Sequence, residues 1–184
     1  MENALEQVVI EQVKNGDHKR FRLLVDSYSR PLMVFVSNMM GNGFDAEDMV
    51  QETFLSAYRH IRSYSPGKGA FSTWLFTIAR NNCINELKKI NRAPTVELTN
   101  FQGHAGTKPD IEEKEFFCLL DRALGLLPVD EKTIFILAEI QELSYDEIRQ
   151  ITGIKTGTIK SKLSRTKAKL KKLLEDTIGE NNEK

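Results

Sequence analysis

The chain has 184 residues, of which 26 are basic and 26 acidic, and 40% are hydrophobic. That is enough apolar material for a core, and the length suits one domain or two small ones. No apolar run approaches the ~18–20 residues of a membrane span, no basic-then-apolar leader opens the sequence, and two cysteines cannot make a disulfide scaffold, so a cytoplasmic protein is expected.

A short helix is expected before Asp17. Phe21, Leu24, Val25, Tyr28, Leu32, Phe35, Val36 and Met39 then recur at i, i+3, i+4, i+7 spacing and predict a helix of about five turns. Asp17 is its expected N-cap, and Gly41 with Gly43 its end. Asp45 opens a second helix with Val50, Phe54, Ala57, Tyr58 and Ile61 inward. Pro66, Gly67 and Gly69 break it. A third long helix carries Phe71, Trp74, Leu75, Ile78, Cys83 and Leu87. Residues 1–90 thus read as one compact all-α unit.

Residues 91–111 change texture. Pro94, Thr95, Thr99, Asn100, Gly103, Gly106, Thr107 and Pro109 replace the apolar period. A structureless run of ~20 residues inside a compact domain would be unusual, so this stretch is expected to be a flexible linker with a reach of at most about 70 Å.

The second unit is expected over 112–178, with 179–184 as a tail. Phe116, Leu120, Ala123, Leu124 and Leu127 mark one helix, ended by Pro128. Asp130 is the expected cap of the next, with Ile134, Leu137 and Ala138 inward. Ser144 followed by Glu147 is a capping-box signature for a short helix carrying Ile148 and Ile151. Gly153 makes a turn, and a last helix starts near Thr156 with Ile159, Leu163, Leu170 and Leu174 inward. No strand alternation and no internal repeat occurs. The expected fold is all-α: two small helical domains joined by a flexible linker, the C-terminal one a helix-turn-helix.

The zero net charge hides an asymmetry. Residues 155–172 carry eight basic side chains and no acid, a net +8, whereas residues 112–149 carry a net −6. A capped short helix, a glycine turn and a strongly basic second helix together point to DNA, with the second helix in the major groove. Its first turns offer Thr156, Thr158, Lys160, Ser161, Ser164 and Arg165. Small polar residues permit close approach, and Lys and Arg donate to guanine edges and phosphates.

The first unit carries two further features. Asp48, Gln51 and Glu52 fall within about one helical turn, which fits either an acidic helix start favoured by the dipole or a protein-docking patch. No histidine converges there, and no metal is expected. The loop from Arg62 to Ser72 leads into Trp74, Phe76, Arg80, Asn81, Asn82, Asn85, Lys88 and Lys89. Aromatics mixed with amides and cations suit unstacked bases and a nucleic-acid backbone, although Trp74 and Phe71 equally suit a core. His18, His60 and His104 are scattered, and Cys83 and Cys118 occupy apolar helical positions as expected buried thiols. No catalytic arrangement and no cofactor site is expected, so the chain is not read as an enzyme.

Three motifs resemble the extracytoplasmic-function group of bacterial RNA polymerase sigma factors. Asp45-Ala-Glu-Asp-Met-Val-Gln-Glu-Thr-Phe resembles the core-binding segment of domain 2. Phe71-Ser-Thr-Trp-Leu-Phe-Thr-Ile-Ala-Arg-Asn resembles the element that melts and reads the −10 region. Leu143-Ser-Tyr-Asp-Glu-Ile and Gly157-Thr-Ile-Lys-Ser-Lys-Leu-Ser-Arg resemble the domain 4 helix-turn-helix that reads the −35 element. The resemblance implies core-polymerase contacts (the β′ clamp helices) from Asp45, Asp48, Gln51 and Glu52. It implies −10 DNA contacts from Ser65, Lys68, Phe71, Trp74, Arg80, Asn81, Asn85 and Lys88, with Asn81 holding a flipped base. It implies −35 contacts from Thr156, Thr158, Lys160, Ser161, Lys162, Ser164, Arg165 and Lys167. It also implies that the acidic block faces the polymerase β flap or an anti-sigma factor that controls the chain. The competing reading is a stand-alone helix-turn-helix regulator, whose first unit would need a ligand cavity or a dimer face.

Overall fold

The computed structural model describes residues 3–41, 44–90 and 111–181, and every regular element among them is helical. The N-terminal unit contains α1 (Asn3–Lys14), α2 (Phe21–Met40), α3 (Ala46–His60) and α4 (Phe71–Ile90). The C-terminal unit contains α5 (Ile111–Gly125), α6 (Val129–Phe135), a π-helical turn (Ile136–Ile140), α7 (Tyr145–Thr152) and α8 (Thr156–Asn181). The expected linker, 91–111, lies outside the described residues except for Ile111, which opens α5, and Gly43 also lies outside them.

In the N-terminal unit α2, α3 and α4 pack on one another and α1 closes the bundle. Of the predicted inward positions, Val25, Tyr28, Tyr58, Trp74, Ile78 and Leu87 are half-buried, whereas Leu24, Leu32, Phe35, Leu75 and Cys83 are fully buried. Each large apolar side chain so placed contributes ~1.5–3 kcal/mol over its exposed state. Gly41 ends α2 at φ 78°, a conformation that favours glycine, and its N–H reaches Ser37 O at 2.9 Å.

Four local expectations differ from what is found. Asp17 makes no capping bond to α2. It precedes a short 3₁₀ turn, His18–Arg20, and α2 starts only at Phe21. Asp130 is not the cap of α6, whose N-cap is Pro128. The fixed φ of proline suits a helix entry, and Asp130 falls in the first turn, where the dipole favours it. Cys118 is half-buried rather than core, while Cys83 is buried. Finally, α8 continues to Asn181, so the last helix takes in half of the expected tail.

The two units are in contact. α4 packs against α7, and α2 against the π-helical turn. Ile134, Ile136, Leu137, Ile148, Ile151, Ile159 and Leu163 of the C-terminal unit join the same buried cluster as the N-terminal core. Thr133 Oγ1, whose proton goes to Val129 O at 2.7 Å, lies 3.5 Å from Met39 Sδ, and Gln141 Nε2 donates to Pro31 O at 3.3 Å. A smaller core of Ala123, Leu124, Leu127 and Leu170 joins α5 to α8 within the C-terminal unit.

Candidate functional site

The acidic patch stands on α3. Asp45 accepts the N–H groups of Glu47 (3.0 Å) and Asp48 (3.4 Å), so its carboxylate is engaged as the helix cap. Asp48, Gln51 and Glu52 are all exposed. Leu55, 48% exposed, lies seven residues past Asp48 on the same stripe. Glu52 pairs with Arg59 at 3.6 Å. Leu55 thus sets an exposed apolar side chain within an acidic surface stripe, a position that the sequence reading does not single out. The signal was there: it falls outside the inward set of Val50, Phe54, Ala57 and Ile61.

The second surface surrounds the loop between α3 and α4. A shallow pocket of about 160 Å³ is lined by Tyr64, Ser65, Lys68, Trp74 and Thr77, together with Gln150 of α7. Ser65 and Lys68 are exposed. Trp74 is half-buried, with Tyr64 and Phe71 each 5.5 Å away between ring centroids. Phe71 is fully buried among Tyr28, Tyr64 and Trp74. A side chain without exposed surface cannot touch DNA, so Phe71 belongs to the core beneath the surface. Asn81, Asn85 and Lys88 form an exposed stripe further along α4. Asn82 turns inward, donating to Thr53 Oγ1 at 3.2 Å.

The C-terminal unit covers part of this surface. The Arg80 side chain is only 16% exposed, with Nη2 3.7 Å from Asp130 of α6 and Nη1 donating to Asn81 Oδ1 at 3.4 Å. Gln150 lies so close to the loop that a methyl group on Gly69 would fall 2.4 Å from its Oε1.

The third surface is the helix-turn-helix. Ser144 and Glu147 form the reciprocal capping box of α7, and Gly153 ends that helix in the left-handed conformation at φ 74°. In α8 the buried residues Ile159, Leu163, Thr166 and Leu170 set the inward face. Thr158, Lys160, Ser161, Ser164 and Arg165 are exposed, whereas Thr156 and Lys162 are half-buried. Arg165 Nε donates to Ser161 O at 3.2 Å, and the Lys160 ammonium lies 5.5 Å from the Tyr145 ring centroid. The second is a cation–π contact between the first turns of α8 and the start of α7. Lys167 is exposed but forms an ion pair with Glu139 at 2.7 Å, and Lys169 does so with Glu131 at 2.7 Å. The acidic block therefore places two of its carboxylates on α8 itself.

Three groups depart from ordinary titration, Cys83 and Lys132 buried and Tyr28 half-buried. Burial raises the Cys83 thiol to about 12. Burial lowers the Lys132 ammonium, against the pull of Asp121. Burial, helped by the hydrogen bond to Glu6, raises the Tyr28 phenol. None of the three lies on the exposed surfaces. Among the described residues no group of His, Cys, Asp or Glu is gathered as a metal site. No helix there is long and apolar enough to cross a membrane.

Comparison with known proteins converges on one family. The family described as sigma-70 region 2 matches residues 24–93, and sigma-70 region 4 matches residues 119–170. The chain is 35% identical over 179 residues to the ECF RNA polymerase sigma-E factor of Salmonella typhimurium, covering 90% of this chain and 92% of that protein. It is 30% identical over 187 aligned positions to the RNA polymerase sigma-H factor of Pseudomonas aeruginosa, covering 95% and 96%. Among solved structures, the sigma factor RpoE of Bartonella quintana, in complex with the anti-sigma factor NepR, matches with a TM-score of 0.70 at 27% identity, covering 85% of this chain and 98% of that one. CnrH, solved with the cytosolic domain of CnrY, shares the fold with a TM-score of 0.72 at 21% identity, covering 92% and 96%.

Proposed function

Since the chain belongs to the sigma-70 family, in its extracytoplasmic-function group, we propose a division of labour among its three surfaces. The family function is to join core RNA polymerase and direct it to promoters, as a transcription initiation factor. Residues 1–90 act as the domain that binds core polymerase and the −10 element, and 112–178 as the domain that reads the −35 element.

The stripe of Asp48, Gln51, Glu52 and Leu55 docks on the polymerase, with Asp45 holding the helix start. The loop with Ser65 and Lys68, beside Trp74, supplies −10 specificity, Asn81 helps to hold a flipped base, and Arg80, Asn85 and Lys88 follow the single strand. Thr158, Lys160, Ser161, Ser164 and Arg165 enter the −35 major groove. Thr156 and Lys162 lend the helix start and stem, and Lys167 contributes a phosphate contact once released from Glu139. No residue acts as a catalyst, and the protein works in the cytoplasm, where its polymerase is.

The observation that carries the reading is the exposure pattern of α8. Its polar and cationic side chains project from a helix fixed by a capping box and a left-handed glycine, while its apolar face is buried.

The described arrangement is a closed one. Asp130 holds Arg80, and Gln150 stands over the loop at Gly69. Promoter elements one and a half to two DNA turns apart, at ~34 Å per turn, are ~50–70 Å apart. The units must therefore separate on the chain between Ile90 and Ile111, whose contour reaches about 70 Å. An anti-sigma factor, such as the partners named with the structural relatives, would act by keeping the surfaces covered.

Run-off transcription from a promoter library, with core polymerase and with or without the chain, tests this function. Sequence-specific transcripts that depend on the chain are expected. Duplex binding by the chain alone, with no transcripts, would move the assignment to a stand-alone regulator.

A further inference from the structure

The loop read above as the −10 reader is held from α1, a helix that precedes the residues matched to sigma-70 region 2. Tyr64, 3% exposed, is the link. Its hydroxyl accepts an N–H of Gln7 at 3.1 Å and donates to Gly69 O at 3.2 Å. The direction is fixed chemically: a carbonyl cannot donate, so the single phenolic proton goes to Gly69 and Gln7 must supply an N–H. Gln7 Oε1 is buried and makes no hydrogen bond, so only the donor end of this amide is in use.

The surroundings reinforce the pin. The Tyr64 ring meets Phe71 edge-on at 5.4 Å, and the Lys14 ammonium lies 5.6 Å from its centroid. Glu6, 5% exposed, accepts the hydroxyl of Tyr28, which packs on Phe71. Gly69, at φ 145°, closes the single 3₁₀ turn Pro66–Lys68 with its N–H on Pro66 O at 3.3 Å. Fixing its carbonyl therefore fixes where Ser65 and Lys68 stand.

We propose that Gln7 and Tyr64 are positioning residues for −10 recognition: the relay from Gln7 N–H through the Tyr64 hydroxyl to the Gly69 carbonyl sets the shape of the base-reading loop. This rests on the reading of that loop as the −10 reader. The surface residues decide which base fits, and the relay decides how strictly.

Two substitutions separate this role from bulk stability. Tyr64→Phe keeps the ring and removes both hydrogen bonds. Gln7→Glu replaces the donor with a carboxylate that competes with Gly69 for the one phenolic proton. The assay is holoenzyme initiation on templates carrying each base in turn at every −10 position, alongside a −35 series and core-binding affinity. Both variants should lower −10 base discrimination about 2- to 10-fold, the range of one hydrogen bond, with −35 discrimination and core affinity unchanged. Val9→Ala, a core truncation in the same helix, supplies a control that loses stability without touching the relay. Unchanged base ratios in both variants, or the same loss of discrimination in Val9→Ala, would overturn the inference. Ser65→Ala and Lys68→Ala report on the underlying reading. If they alter base preference while Gln7→Glu and Tyr64→Phe do not, only the relay fails. If none of the four does, the loop is not the reader.

Discussion

Truncating Phe71 separates a core role from a DNA-contact role. Its side chain has no exposed surface and touches three aromatic rings at centroid distances of 5.4–5.6 Å. Phe71→Ala removes that burial and leaves a cavity among rings that cannot collapse freely, costing about 3–5 kcal/mol. Each lost aromatic pair accounts for ~0.5–1.5 kcal/mol within that figure. Against a domain stability of roughly 5–15 kcal/mol, that is about a fifth of the total at the upper end and nearly all of it at the lower. Phe71→Leu retains most of the volume and should cost only about 1–2 kcal/mol. Urea unfolding followed by tryptophan fluorescence suits the purpose, because Trp74 is adjacent. Promoter selection by Phe71→Leu, measured on −10 variants, should match the parent. A Phe71→Ala protein of near-parental stability that fails at the −10 element would refute the buried assignment.

Other consequences follow from the same geometry. Cys83 is a buried acid with its folded value raised to about 12, so its contribution is fully present below the unfolded thiol's pKa and is lost as pH rises from there towards 12. Between pH 7 and pH 10 the parent should lose about 1.4–2 kcal/mol more than Cys83→Ala, read as the difference between two denaturation series. Equal losses would show that the thiol is not buried. Asp130→Lys combined with Gln150→Ala should weaken the closed arrangement and raise the affinity of the free chain for a −10 single strand about 2- to 5-fold, in keeping with one partly exposed ion pair. An unchanged affinity would mean that the C-terminal unit does not cover that surface. Arg165→Ala should cost roughly 1–3 kcal/mol at the −35 element while core binding stays intact. An equal loss on scrambled duplex would reduce it to a phosphate contact.

Periodicity located the helices because each has one buried stripe, and Ser144, Glu147 and Gly153 marked the helix-turn-helix through caps that depend on neighbouring residues alone. The departures arose where distant contacts decide. Nothing local tells that Asp17 and Asp130 make no capping bond, because Arg20 and Pro128 occupy the N-cap positions of α2 and α6. Phe71 and Trp74 belong to one aromatic-rich motif, yet the rings of Tyr28 and Tyr64 bury the first and leave the second half open. Lys167 is one of eight cations in the sequence, and only the fold sets Glu139 beside it. The contact between the two units was not legible at all, since it joins α4 to a helix some sixty residues later in the chain. The pin at Tyr64 was hidden for the same reason, its partner Gln7 being 57 positions away.

The central claim is that one chain presents two separate DNA surfaces to one promoter. Site-specific photocrosslinking in the polymerase–promoter open complex tests it most directly, with one probe at Lys68 and another at Ser161. The Lys68 probe should label the non-template strand of the −10 element, and the Ser161 probe should label −35 duplex in the same complex. Both probes labelling one element, or the Ser161 probe labelling polymerase and no DNA, would contradict it.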